Sequence, residues 1–133
     1  MPLGHIGLNV PDLTVAKAYY DRIMPPLGYD EFVASADELA YQPAAGKRGA
    51  FLFLYPTLES APHSRDATGL QHLAFMMRGR NDVRALHELV VQLGSTVLHE
   101  PRAFPQYGST YFATFWLDPF GFKLEAVCHH DRD

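Results

Sequence analysis

The sequence predicts an α+β protein made of two paired βαβββ modules in one chain, which together form a curved mixed sheet around a cavity. Three observations predict it. The order of apolar patterns repeats: strand, helix, then three strands, twice over. Each helix carries one apolar stripe and ends in Leu-Gly, at Leu27-Gly28 and Leu93-Gly94. Each four-strand set has a single helix to cover it, so one sheet face is left to be covered otherwise or to line a cavity.

The elements follow in order. Residues 3–10 alternate, with Ile6, Leu8 and Val10 on one face and His5, Gly7 and Asn9 on the other. Asp12 is a fitting N-cap for a helix whose stripe is Leu13, Ala16, Tyr20, Ile23 and Leu27. Pro25-Pro26 ends it and Gly28 turns the chain. Strands are expected over 29–34, 38–42 and 49–55, with a turn at 43–46. The polar segment 57–68, with a proline at 62, reads as a linker between modules at about 3–56 and 69–129. The pattern then restarts with a strand over 70–77. A second helix follows, capped by Asn81-Asp82, with Val83, Leu86, Val90 and Leu93 as its stripe. A strand over 95–99 leads into a loop over 101–109. Phe104, Tyr107 and Gly108 make that loop a candidate lid. Strands over 110–117 and 122–128 close the module as a hairpin. Its turn is Asp118-Pro119-Phe120-Gly121, where Gly121 is free to take a positive φ.

Composition bounds the function. The chain has 133 residues, 47% of them apolar and 20% charged, which suits one ordinary globular domain. A net charge of −4 with no basic run gives no nucleic-acid surface. No apolar run reaches the roughly 20 residues of a membrane span. The start of the sequence has no signal-peptide pattern, and the single cysteine, Cys128, fits a reducing cytoplasm.

Glu125 interrupts an apolar strand, opposite in facing to Leu124 and Ala126. A buried carboxylate is costly unless it is paired or bound to a cation. Taken singly, Glu125 reads as an exposed residue on an edge strand, His5 as a solvated terminal histidine and His72 as a core histidine. Taken together, they occupy repeat-related strands with matching alternation and face the uncovered side, which points to one site. The other five histidines read as surface, loop or tail, and the aromatics as core with a subset lining an apolar pocket.

Several segments carry a resemblance. They are Gly4-His5-Ile6-Gly7-Leu8-Asn9-Val10-Pro11-Asp12-Leu13, Ala18-Tyr19-Tyr20-Asp21 and Leu27-Gly28 in the first half. In the second half they are Leu70-Gln71-His72-Leu73-Ala74-Phe75 and Trp116-Leu117-Asp118-Pro119-Phe120-Gly121-Phe122-Lys123-Leu124-Glu125. Across nearly the whole chain these segments resemble the vicinal oxygen chelate superfamily of glyoxalases, bleomycin-resistance proteins and extradiol dioxygenases, and most of all a bacterial branch of small members. The resemblance implies that fold and a divalent metal held by His5, His72 and Glu125, with Glu125 also a candidate catalytic base. It implies Fe(II), Mn(II), Ni(II) or Zn(II), and no organic cofactor. The fourth ligand position of the metal-binding members falls within 51–55, on Phe53 or Leu52, and neither can bind a metal.

Two functions are therefore expected to compete. One is a metal-dependent enzyme, a lyase, isomerase or dioxygenase, acting on a small oxygenated or aromatic molecule. The other is a metal-free protein that sequesters a small molecule, as bleomycin-resistance members do. A homodimer is expected too. Sheet edges favour pairing, and Phe32, Val33 and Tyr41 lie on short strands that one helix cannot fully cover. Short members of the superfamily commonly pair, some by exchanging modules between chains.

Overall fold

Parallel pairing of the first and last strands organises each half of the chain. The computed structural model describes residues 2–133. In the first half, β1 (His5–Val10) is followed by α1 (Leu13–Ile23), β2 (Tyr29–Ala34), β3 (Leu39–Pro43) and β4 (Phe51–Pro56). In the second, β5 (Leu73–Met76) is followed by α2 (Arg80–Gln92), β6 (Val97–Ala103), β7 (Phe112–Leu117) and β8 (Lys123–Cys128). The strand orders are β1-β4-β3-β2 and β5-β8-β7-β6, so the two four-stranded sheets share one topology. β1 runs parallel to β4, and β5 parallel to β8; the other pairings are antiparallel. The chain divides into two units between Pro62 and His63.

In the first unit, Asp12 caps α1 as its sequence position suggests. Its Oδ1 accepts from the backbone N–H groups of Thr14 and Val15 at 2.9 and 3.1 Å. The helix buries Ala16, Tyr19, Tyr20 and Ile23, and the sheet buries Leu8, Val10, Leu39, Tyr41, Leu52 and Leu54. Full burial of such apolar side chains stabilises by roughly 1.5–3 kcal/mol each. Gly28, at φ 92°, releases the chain into β2. Tyr41 differs from expectation. It is buried, its ring 6.4 Å from that of Tyr20, and its hydroxyl donates to Asp21 at 2.8 Å. Phe32 is left half exposed.

In the second unit, α2 buries Val83, Leu86 and Val90, and the sheet buries Phe75, Trp116, Leu124, Ala126 and Cys128. The cap differs from the Asn81-Asp82 reading. Gly79 is the N-cap, and Asp82 lies in the first turn, where its charge suits the helix N-terminus. The orphan N–H of Arg80 donates to the carbonyl of Arg132 at 2.9 Å, so the chain after β8 serves as the cap. Two strands have clearly different limits from those read. β5 is shorter, so His72 immediately precedes it. β6 begins later and continues to Ala103, taking in Pro101, which an edge strand with an irregular register tolerates. The expected lid segment is therefore partly strand, and Phe104 beyond it is buried. At the hairpin, Gly121 has φ 90°, and Asp118 Oδ1 accepts from the N–H groups of Phe120 and Phe122 at 2.9 and 2.8 Å.

Candidate functional site

Strand alternation sorts each sheet into a helix-covered face and an open face. On β8, Lys123, Glu125 and Val127 take the open face. Register pairs Glu125 with Phe115 on β7 and with Ala74 on β5, while His99 on β6 pairs with Phe115. Glu125 is fully buried on an internal strand. The edge-strand reading of this residue is thereby overturned, and its carboxylate requires partners.

Two polar side chains supply them. The Tyr111 hydroxyl donates to Glu125 Oε2. Burial first, and then the neighbouring carboxylate, push the Tyr111 hydroxyl well above its ordinary pKa, so it stays a donor. On the other side, His72 Nε2 stands 3.3 Å from Glu125 Oε1. The two are close but not aligned as a hydrogen bond, and Oε1 has no hydrogen-bond donor among the described residues. We therefore treat the contact as electrostatic rather than as a hydrogen bond. Gln71 Oε1 accepts from His72 Nδ1, which leaves the lone pair of a neutral imidazole on Nε2. Two acceptor atoms thus face each other, and the pair is complete only with a positive charge between them, either a proton on Nε2 or a cation. The residues fit a divalent cation. Bond lengths of about 2.1 Å put two adjacent octahedral ligand atoms about 3 Å apart, near the 3.3 Å found. The Gln71 contact is the outer hydrogen bond that a ligating histidine requires.

His5 occupies the related position in the first unit, on the open face of β1. Register pairs Gly7 with Phe53 as it pairs Ala74 with Glu125. Phe53, not Leu52, is thus the counterpart of Glu125. Where His72 meets a carboxylate, His5 meets the Phe53 ring edge-on at 5.2 Å. Phe53 stacks between Phe51 and Tyr55 at 6.5 and 6.1 Å, and Phe32 meets Phe51 at 5.2 Å. This makes an aromatic row on the open face of the first unit. The structure therefore brings His72 and Glu125 together within one unit, with His5 on the other. Among the described residues no three His, Cys, Asp or Glu side chains gather as a metal centre.

Three residues of the site were not singled out from sequence. Tyr111 was counted among the core aromatics, although its alternation with Ala113 and Phe115 puts it on the open face. Gln71 is marked only by its place beside His72. Lys123 stands two residues before Glu125 on the same face, its Nζ 5.0 Å from the centre of the Phe115 ring. His99 is exposed, as read, with its ring edge-on to Phe104 and Phe115 at 5.6 and 5.5 Å. A groove of about 400 Å³ in the first unit, lined by Leu13, Lys17, Asp21, Ser35 and Leu39 among others, contains none of the site residues.

Comparison with known proteins agrees with this architecture. The uncharacterized protein YqjT of Bacillus subtilis (strain 168) is 29% identical over 128 residues, covering 92% of this chain and 95% of that one. A candidate glyoxalase of Bacillus halodurans superposes with a TM-score of 0.79 at 26% identity, over 96% of this chain and 95% of that one. The fosfomycin resistance protein FosX of Listeria monocytogenes shares the fold, with a TM-score of 0.70 at 19% identity over 96% of this chain and 93% of that one. Residues 3–126 match the family description outright: the chain belongs to the Glyoxalase/Bleomycin resistance protein/Dioxygenase superfamily.

Proposed function

We propose that the protein is a divalent-metal-dependent enzyme acting on a small oxygenated molecule, with Glu125 and His72 as metal ligands and His5 completing the set. The observation that carries this reading is the buried, donor-free Oε1 of Glu125 facing His72 Nε2. Bound there, an ion such as Fe(II), Mn(II), Ni(II) or Zn(II) supplies Lewis acidity toward substrate oxygens. The chain's own contribution is to exclude water from Glu125 and to fix the carboxylate through Tyr111 and the imidazole through Gln71. Glu125 is also the candidate base: on leaving the ion, Oε1, the oxygen that Tyr111 does not occupy, would take a proton beside the substrate oxygen. The reading carries a homodimer in the cytoplasm, in which His5 comes from the same chain or, if modules are exchanged, from the second copy.

Elemental analysis of protein purified without chelator or affinity-tag metal tests this. About one divalent ion per chain is expected, lost in His72→Ala and Glu125→Ala; metal-free protein that takes up none of the four ions in titration overturns it. Mixing His5→Ala with Glu125→Ala chains tests exchange, since recovered binding requires a site shared between copies. Sedimentation at micromolar concentration tests the dimer, and a monomer throughout refutes it.

A second reading, metal-free sequestration of an apolar small molecule, draws on Phe53 standing where a fourth ligand would be and on the stacked row around it. Tight binding of a planar compound that is unaffected by chelator and by His72→Ala favours it over the first.

A further inference from the structure

The open face of the second unit has a charge balance opposite to that of the chain. The whole chain carries −4. On this face, Lys123 and Arg102 stand with the imidazoles of His72 and His99 around one carboxylate, that of Glu125. Alternation and register place them there: Lys123 shares its face with Glu125, Arg102 pairs with Ala113, and His99 pairs with Phe115. Glu125 does not serve as partner to the cations, because Oε2 is taken by Tyr111 and Oε1 faces His72. Among the described residues neither Lys123 nor Arg102 lies in an ion pair with a carboxylate. Each instead rests on an aromatic ring, Lys123 Nζ at 5.0 Å from Phe115 and the Arg102 guanidinium at 4.3 Å from Phe104.

A half-buried ammonium with its stem along apolar surface and no counter-charge raises the local potential and attracts an anion. The Phe115 ring beneath that ammonium is itself buried. It lies directly across from Glu125, with the His72 ring 6.4 Å from its own. Lys123 and Glu125 are two positions apart, about 7 Å along β8, a span a small ligand bridges.

We propose that Lys123 forms an anion subsite beside the Glu125–His72 pair, and that the ligand of this face is a small carboxylic acid with an oxygen next to its carboxylate. The carboxylate meets the Lys123 ammonium, and the neighbouring oxygen turns toward His72 and Glu125. The assignment of that oxygen rests on the proposed metal site; the anion subsite does not.

The test compares salicylate with its neutral relative salicylamide, titrated calorimetrically into the full-length protein and into Lys123→Met and Lys123→Arg. Salicylate is expected to bind the unaltered protein about tenfold more tightly than salicylamide, as a charge-assisted hydrogen bond provides. The preference falls as salt is raised. Lys123→Met should abolish it while leaving salicylamide binding and the melting temperature unchanged, and Lys123→Arg should keep it. Equal binding of the two compounds, binding of neither, or a preference that survives Lys123→Met overturns the subsite. His72→Ala separates the two claims. A salicylate preference that persists there after the metal is lost upholds both claims, since the subsite does not need the ion. Metal kept in His72→Ala overturns the metal reading alone, and metal bound by the unaltered protein with no salicylate preference overturns the subsite alone.

Discussion

At the scale of single residues, the site is an asymmetric copy of itself. The register that sets Glu125 beside His72 sets Phe53 beside His5. Phe53→Glu should therefore create a second His–carboxylate pair. The expected result is a gain of Ni(II) affinity in calorimetric titration, with a loss of stability because the new carboxylate replaces a stacked ring; unchanged metal uptake would contradict the equivalence. Tyr111 offers a second measurement. Tyr111→Phe strips Glu125 of the one hydrogen bond that Oε2 makes among the described residues, and an unsatisfied buried oxygen costs about 1–3 kcal/mol. Urea unfolding should report that loss. The open-face positions of His5, His72 and Glu125 were legible in the sequence because alternation within a repeat assigns faces without any knowledge of packing. Tyr111, Gln71 and Lys123 were not, because a hydrogen bond across fourteen residues, a neighbour's rotamer and a cation over a ring depend on side-chain placement that periodicity does not encode.

At the scale of elements, caps and turns carry testable energy. Asp12→Ala removes both backbone bonds that start α1 and should cost about 1 kcal/mol. Asp118→Ala removes the two that hold the β7–β8 turn and should cost a similar amount, about 1 kcal/mol. Thermal unfolding of each variant checks both. The first cap was readable because Asp12 lies next to it in sequence. The second helix was misread at its start because Arg80 finds its acceptor in the carbonyl of Arg132, at the far side of the unit. The limits of β6 failed for a related reason. Pro101 reads locally as a strand breaker, yet an edge strand with a shifted register accommodates it.

At the scale of the whole molecule, the repeat made the fold legible: two helices with matched stripes and Leu-Gly endings imply two sheets of one topology. Three tyrosines link the fold to alkaline conditions. Burial first, then hydrogen bonding to Asp21 or Glu125, raises Tyr41 and Tyr111, and burial alone raises Tyr29. A raised phenol holds its proton in the folded chain after the unfolded chain has lost it. Its stabilising contribution is complete below about pH 10 and is lost as pH climbs past that value. Urea melts taken from about pH 8 to about pH 11 should show stability falling at the upper end, with a shallower fall in Tyr41→Phe. The strand order has a consequence for how the protein is made. β4 and β8 are each the last strand of their unit to leave the ribosome, yet each inserts between two strands already present. The first unit has all its strands once Pro56 has emerged, whereas the second waits for Cys128. Synthesis at roughly 5–20 residues per second thus gives the first sheet several seconds' lead. At the end of that interval β5 and β7 are both out in the nascent chain without their central neighbour, and the strand bearing Glu125 is the one that closes the gap.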